Sequence, residues 1–137
     1  MSIEEKLKQQ IKENPILIYM KGTPYEPRCG FSAKTVQALI DCGAEFSYVD
    51  ILENQEVRQT LPEVSDWPTF PQLFVNGELI GGCDIVSELH GAGDLQSIID
   101  KARHKEISVM QQYDLGEHTK EVSREKLVIL DQEIKKY

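Results

Sequence analysis

Hydrophobic residues near the start of the chain follow first a helical period and then an unbroken apolar run, which predicts a helix followed by a strand. Ser2 and Glu5 have the spacing of a helix capping box, and apolar residues then recur on one helical face. Asn14-Pro15 ends that pattern, because proline cannot continue a helix. The apolar run over 16–20 has the composition of a buried strand.

The next periodic segment predicts a second helix and a second strand. Apolar positions at helical spacing favour a helix over 31–42, for which Gly43 is a natural C-terminal cap. The segment 46–50 has strand composition. A short helix is predicted from Asn54 to about residue 61, and we expect Pro62 to break it.

A proline-dense bend at 67–71 leads into a predicted β-hairpin. Strands are expected over 72–75 and 78–80, on either side of Asn76-Gly77, which is a strong two-residue hairpin signal. The two strands should therefore be antiparallel neighbours. After Gly81-Gly82 the pattern predicts two more helices, with Asp84 and Asp94 as their N-terminal caps.

The predicted order of elements is helix-β-α-β-α-β-β-α-α, which belongs to the α/β class. It describes a four-stranded mixed β-sheet flanked by helices on both faces. Two βα crossovers followed by a terminal hairpin define a thioredoxin-like fold. We assign residues 1–104 to this domain.

Residues 105–137 form a C-terminal extension with a different pattern. A polar stretch over 105–121 precedes an apolar cluster at 127–130. Ser123 is placed to cap a last helix, whereas the contiguous apolar run suits a strand equally well. The conformation of the extension is therefore left open, and the sequence assigns it no function.

Composition and charge narrow the classes of partner. The 137 residues are 40% hydrophobic and carry a formal net charge of -8, with no basic patch. Nucleic acid and anionic membranes attract clustered Lys and Arg, so neither is expected as a main partner. The sequence contains neither a long apolar run nor a secretory signal, and its three cysteines lack disulfide-framework spacing. We therefore expect a soluble, cytoplasmic protein whose thiols stay reduced.

Cys29 is the candidate reactive residue. The run Cys29-Gly30-Phe31-Ser32 places its thiol at the start of the second predicted helix, where unpaired N–H groups and a partial positive charge favour the thiolate. Lys21 and Arg28 are available to add positive charge. A dithiol redox catalyst carries its second cysteine three positions on, and that position here is Ser32.

The remaining thiols and imidazoles have weaker signals. Cys42 lies near the end of a predicted helix with no matching motif, so we interpret it as structural. His90, His104 and His118 lack metal-ligand spacing and are interpreted as ordinary surface or helix-end residues.

Four segments in order give the chain a family resemblance. They are Lys21-Gly22-Thr23-Pro24 with Pro27, Cys29-Gly30-Phe31-Ser32, the segment 67–73 (WPTFPQL) and the segment 81–85 (GGCDI). On these residues the chain resembles the monothiol glutaredoxins of the single-domain type, from about residue 2 to about residue 103. The extension lies outside the resemblance.

The resemblance implies that glutathione binds beside Cys29. Lys21 and Arg58 would meet the carboxylate at its glycine end. The main chain at Phe70, ahead of a cis-Pro71, would pair with its cysteinyl unit. The helix start at Cys83-Asp84 would meet its γ-glutamyl end, and there a main-chain role is favoured over a role for the Cys83 thiol.

The resemblance also implies a shared iron-sulfur cluster. A 2Fe-2S cluster ordinarily takes four thiolates. Cys29 would supply one as the metal ligand, a bound glutathione a second, and a twofold-related protomer the other two. Family members carry such a cluster across a homodimer, so we expect a role in iron-sulfur cluster assembly, storage or transfer to acceptor proteins. Family members also pair with BolA-type proteins, and the residues of this chain give no argument for or against that pairing.

Two other functions stay open beside the iron-sulfur carrier. The first is a glutathione-dependent monothiol oxidoreductase that removes glutathione from proteins, because a second glutathione can resolve the mixed disulfide without a second cysteine. The other is a regulatory module that senses through its cluster and recruits partners through the extension. The sequence favours a carrier over a catalyst and does not decide whether the protein is an enzyme.

Overall fold

A computed structural model of the chain describes residues 2–103 and 119–122. The elements, in chain order, are α1 Ile3–Glu13, β1 Ile16–Met20, α2 Gly30–Asp41, β2 Phe46–Asp50, α3 Gln55–Ser65, β3 Gln72–Val75, β4 Glu78–Gly81, α4 Cys83–Gly91, α5 Asp94–Arg103 and β5 Thr119–Val122. Residues 123–137, with the helix-or-strand alternative at 127–130, lie outside the described part.

The sheet has the order β4-β3-β1-β2-β5, with β1 in the centre. β1 runs parallel to β2 and antiparallel to β3, and β4 and β5 are antiparallel to their neighbours. The predicted four-stranded mixed sheet is therefore confirmed. The extension adds β5 along β2, which the sequence pattern did not predict. An edge strand offers unpaired main-chain groups to any extended segment, and this pairing needs no side-chain pattern.

Two apolar layers hold the helices on the two faces of the sheet. Side chains of β1 alternate between them, as successive residues of a strand must. Ile18 joins the layer under α2, α4 and α5, whereas Tyr19 joins the layer under α1 and α3. Both side chains are fully buried. The edge of the sheet where β1 and β2 end is thus held rigidly, and the loop that leads to Cys29 leaves from this edge.

The predicted helix start at Ser2 is confirmed. Ser2 is the N-cap of α1, and its Oγ accepts a hydrogen bond from the Glu5 N–H at 3.2 Å. The second helix begins one residue before its predicted start, so that Cys29 becomes its N-cap.

The prediction that Pro62 breaks the third helix is wrong. α3 continues to Ser65 and ends at Asp66, which adopts a left-handed conformation with φ 53°. Proline removes one donor near the end of the helix, while its own carbonyl still accepts the Trp67 N–H at 3.2 Å. The helix therefore loses one hydrogen bond and stops a few residues later.

The predicted caps of the last two helices are also wrong. Gly82 is the N-cap of α4 and Asp84 lies in its first turn, while Asp94 is the first residue of α5. A Cβ on Gly82 would lie 3.2 Å from the Pro71 carbonyl oxygen and 3.3 Å from Trp67 Nε1. Close packing, and not side-chain capping, thus explains the residue that precedes α4.

Candidate functional site

The thiol of Cys29 lies at the N-terminus of α2. Cys29 has an extended backbone, with φ -148° and ψ 136°, and its side chain makes no capping hydrogen bond. Its carbonyl accepts the Ala33 N–H at 3.0 Å, so the residue is fixed as the first acceptor of the helix. The residue is partly exposed. The sulfur is therefore held at the positive end of a helix dipole and is open to a ligand.

The loop from Lys21 to Arg28 is pinned at its base. The Arg28 N–H donates to the Lys21 carbonyl at 2.9 Å, and Gly22 forms a bridge with Pro27. Gly22 has φ +90°, and a Cβ there would lie 2.5 Å from the Glu26 carbonyl oxygen. Only glycine fits this turn, which explains its place in the loop motif.

Asp50 fastens that loop to the end of β2. Its Oδ1 accepts hydrogen bonds from the Gly22 N–H and the Leu52 N–H, each at 2.9 Å. Asp50 lies opposite Met20 in the parallel pair β1 and β2, so the two strands end side by side. Sequence reasoning missed this residue. A carboxylate at the end of a parallel strand was the signal available, because such ends share one edge of a sheet.

Ser32 occupies the position of the second cysteine of a dithiol catalyst. It is fully buried, and its Oγ accepts the Lys21 N–H at 3.1 Å. This residue therefore has a structural function, because it joins the start of α2 to the end of β1.

The bend at 67–71 lines the same cleft as Cys29. The Phe70–Pro71 peptide bond is cis, as the resemblance implied. Gln72 Nε2 donates to the carbonyls of Trp67 at 2.9 Å and Thr69 at 3.1 Å, and Gln72 is fully buried.

These elements enclose a cleft of about 710 Å³. All six residues predicted for the site line it, namely Lys21, Cys29, Arg58, Phe70, Cys83 and Asp84. They come from the loop after β1, the first turn of α2, the exposed face of α3, the bend and the start of α4. Residues distant in the sequence are thus brought to one place.

Apolar side chains that sequence reasoning did not assign also line the cleft. Phe31 is 60% exposed and Ile85 is 36% exposed, although both are large hydrophobic residues. Phe31 and Ile85 each lie two residues after a cysteine of the cleft, within the motifs that carry the resemblance, and that position was the available signal. Trp67 also lines the cleft and lies against Gly82.

The cleft has a charge distribution suited to a zwitterionic ligand. Lys21 and Arg58 supply two cationic groups. Asp84 supplies an exposed carboxylate near the start of α4. Gly82 caps α4 without a side chain, so the first N–H groups of that helix are free of a side-chain cap. Unpaired N–H groups at a helix start bind carboxylates.

The other two cysteines differ in their access to the cleft. Cys83 is 9% exposed and lines the cleft, with its Sγ 3.9 Å from Ser87 Oγ. Cys42 is buried, and its Sγ lies 3.9 Å from His90 Nδ1, away from the cleft-lining residues. None of these three cysteines, all of which lie in the described part of the chain, forms a disulfide.

His90 has a role that its sequence position did not reveal. Its Nε2 lies 3.4 Å from Asp41 Oδ2, so the side chain bridges the ends of α2 and α4. The other two histidines lie outside the described residues. Within 2–103 and 119–122, no three His, Cys, Asp or Glu side chains are grouped so that they could hold a metal ion. No helix in that part of the chain is long and apolar enough to cross a membrane.

The chain is similar in sequence and in fold to known proteins. The profile of the Glutaredoxin family matches residues 16–80. The chain is 58% identical to Glutaredoxin 4 of Escherichia coli strain K12 over 101 residues, which is 74% of this chain and 88% of that protein. Its fold is similar to the solution structure of reduced poplar apo GrxS14, with 44% identity, a TM-score of 0.65 and coverage of 74% and 94%. It is also similar to the crystal structure of the holo form of glutaredoxin C1 from Populus tremula x tremuloides, with 26% identity, a TM-score of 0.67 and coverage of 74% and 90%.

Proposed function

Because this chain belongs to the glutaredoxin family, in its monothiol branch, we propose that it binds glutathione in the cleft and carries a glutathione-ligated 2Fe-2S cluster between two protomers. The cluster is cargo, which the protein holds for iron-sulfur assembly, storage or transfer to acceptor proteins in the cytoplasm. One observation carries this proposal. Five separate segments bring their chemically suited residues into one cleft around the single partly exposed thiol, Cys29.

The cleft fits each part of glutathione. Lys21 and Arg58 offer two cations to the carboxylate at the glycine end. The backbone groups of Phe70 make no hydrogen bond within the described residues, so they are available to the cysteinyl unit. The start of α4 offers N–H donors to the γ-glutamyl carboxylate, and Asp84 can accept from its ammonium group.

The donor chemistry at Cys29 fits an iron-sulfur cargo. Thiolates are the usual ligands of such clusters. Cys29 offers a partly exposed sulfur, and a glutathione bound beside it would bring a second. A second copy of the chain would double this set to four, which gives the twofold arrangement of the proposal.

Anaerobic reconstitution tests the proposal. The full chain, given iron, sulfide and glutathione without oxygen, should become brown and elute as a dimer. Cys29→Ser should stay colourless and monomeric. Cys42→Ser is the matched control, because Cys42 is buried away from the cleft, and it should take up colour as the wild type does. A wild type that stays colourless, or colour retained in Cys29→Ser, contradicts the proposal.

A second candidate, a monothiol oxidoreductase, is favoured by the open thiol and the buried Ser32. In this reaction the Cys29 thiolate attacks the glutathione sulfur of a glutathionylated protein, and the protein leaves as a thiolate. A second glutathione thiolate then attacks the glutathione sulfur bound to Cys29, which releases oxidised glutathione and restores the Cys29 thiolate. Ser32 has no sulfur and cannot form a disulfide with Cys29, so the motif supports this monothiol route and not a dithiol route. Rapid turnover of a glutathionylated substrate without cluster uptake would favour this candidate over the carrier.

A further inference from the structure

We propose that Gln72 is a positioning residue for ligand binding, because its side chain clamps the bend at 67–71 in the conformation that presents the Phe70 main chain to the cleft. This inference rests on the proposed binding of glutathione along Phe70. Gln72 itself is absent from the cleft lining and would act only through the bend.

The bend depends on outside partners for its backbone. Residues 67–71 form no helix or strand, and Pro68 and Pro71 have no N–H to donate. The Trp67 N–H is used by the Pro62 carbonyl at the end of α3. Without further contacts, the carbonyls between Trp67 and Phe70 would be held by nothing but water.

Gln72 supplies these contacts from a rigid part of the sheet. It is the first residue of β3 and lies opposite Tyr19 of the central strand. Its two Nε2 hydrogens reach the Trp67 carbonyl at 2.9 Å and the Thr69 carbonyl at 3.1 Å. One side chain therefore fixes two carbonyls, those of Trp67 and Thr69, which both precede Phe70.

The oxygen of the same side-chain amide supports the view that glutamine occupies this position because of its two donor contacts. Gln72 Oε1 is buried and has no hydrogen-bond partner within the described residues. An unpaired buried acceptor is unfavourable, and an apolar side chain of the same length would avoid it. The position thus tolerates a destabilising atom next to two well-formed donor contacts.

The clamp fixes the main chain at Phe70 in the conformation with which an extended ligand would pair. Fixing a flexible backbone on binding costs conformational entropy, and a bend that is already fixed avoids that cost. Close packing adds to the fixation, since a Cβ on Gly82 would lie only 3.3 Å from Trp67 Nε1. The clamp therefore acts on affinity, separately from the charges of Lys21 and Arg58.

Calorimetric titration of glutathione into the full chain tests this inference. Gln72→Met keeps the length of the side chain and removes both donors and the unpaired oxygen. We expect its dissociation constant to rise about tenfold, which is the change that one or two net hydrogen bonds represent. Gln96→Met is the matched control, because Gln96 Nε2 also tethers a backbone carbonyl, that of Cys42 at 3.1 Å, but outside the cleft lining.

The control separates positioning from general stability. Both variants should lower the unfolding midpoint by a similar small amount, whereas only Gln72→Met should weaken binding. Amide hydrogen exchange at Trp67, whose N–H bonds to the Pro62 carbonyl at the start of the bend, should increase in Gln72→Met alone. Equal affinity of a folded Gln72→Met and the wild type would overturn the inference, as would equal weakening in Gln96→Met.

A measurement on the wild type keeps the inference testable if Gln72→Met does not fold. The two side-chain amide protons of Gln72 should have distinct NMR shifts and slow solvent exchange, both before and after glutathione is added. Fast exchange in either state would overturn the clamp. If the wild type binds no glutathione at all, the proposed function fails, and the exchange data on the free protein still decide whether the clamp exists.

Discussion

The Ser32 hydroxyl accepts a hydrogen bond from the Lys21 N–H at 3.1 Å, in a fully buried position three residues after Cys29. This contact joins the segment that begins with Cys29 to the segment that begins with Lys21, and both residues line the cleft. The serine of the motif is therefore part of the framework of the site, and its replacement has consequences for stability.

Ser32→Ala should lower the free energy of unfolding by about 1–3 kcal/mol, because it leaves the Lys21 N–H without its acceptor. Ser32→Cys should lower it by less, because sulfur can still accept a hydrogen bond from the Lys21 N–H, although weakly. Urea denaturation followed by circular dichroism measures both. Ser97→Ala, at an exposed position of α5, is the control and should change stability by less than about 0.5 kcal/mol. An equal effect of the two alanine variants would contradict the assigned contact.

Gly22→Ala should destabilise the chain by more than about 2 kcal/mol, because φ is +90° and the new Cβ would meet the Glu26 carbonyl oxygen at 2.5 Å. Gly91→Ala is the matched control. Gly91 ends α4 with open space around it, so alanine there should be neutral or slightly stabilising. Thermal unfolding of both variants decides the point, and a Gly22→Ala midpoint equal to that of the wild type would refute the pinned loop.

Arg58→Ala should weaken glutathione binding about threefold to tenfold, and added salt should narrow the difference, since Arg58 is exposed. Arg28 offers a control of the same residue type. It lies outside the cleft lining and pairs with Glu26 at 3.2 Å, with both side chains largely exposed. Arg28→Ala should therefore change the affinity measured by calorimetry much less. Identical losses in the two variants would mean that net charge, and not the position of Arg58, governs binding.

Tyr19 should make stability depend on pH in the alkaline range. Complete burial raises the pKa of Tyr19 well above its usual value of 10.0. The folded state thus keeps the proton, while the unfolded state releases it above about pH 10. The stability contribution is fully present below that pH and is lost at roughly 1.4 kcal/mol per pH unit above it.

Tyr19→Phe is the test of that pH dependence. It removes the titrating group and the 2.6 Å hydrogen bond to Gln10, and it should retain the edge-to-face packing on Phe74. Its unfolding free energy, followed from pH 9 to pH 11, should be lower than that of the wild type at pH 9 and should fall less steeply. Parallel curves for the two proteins would show that Tyr19 ionises equally in both states.

Deleting residues 105–137 should expose the outer edge of β2, because the deletion removes β5. Amide hydrogen exchange should then increase at alternate residues of 46–50, namely those whose N–H groups point away from β1. Deleting only 123–137 keeps β5 and is the matched control. Glutathione affinity should be unchanged in both, because every cleft-lining residue lies between Lys21 and Ile85. Unchanged exchange in the longer deletion would contradict the pairing of β5 with β2.

Sequence reasoning predicted the regular elements because their apolar periodicity reflects burial. The strand 16–20 and the strand 46–50 have the predicted bounds, since an apolar run between turn residues has few other solutions. Pro62 and Asp84 misled for a common reason. Proline usually ends a helix, but Pro62 lies so near the end of α3 that it removes only one hydrogen bond. Aspartate usually caps a helix, but close packing at the preceding position requires Gly82 there.

The sequence motifs predicted which residues belong to the site but not how those residues are arranged. The resemblance named Lys21, Cys29 and Arg58, but chain order alone does not show that they share a cleft. Asp50 was missed because its function is to accept two backbone N–H groups, and such a contact depends on which strands end together. β5 was missed because main-chain pairing at an edge leaves no trace in the pattern of side chains.

Trp67 gives the protein an intrinsic optical probe. It is the single tryptophan of the 137 residues, and it lies in the wall of the cleft. Fluorescence excited at the indole band therefore reports from one known place without a dye or a label. A ligand that absorbs in the near ultraviolet, where tryptophan emits, would quench this emission on binding, so occupancy of the cleft can be followed in real time.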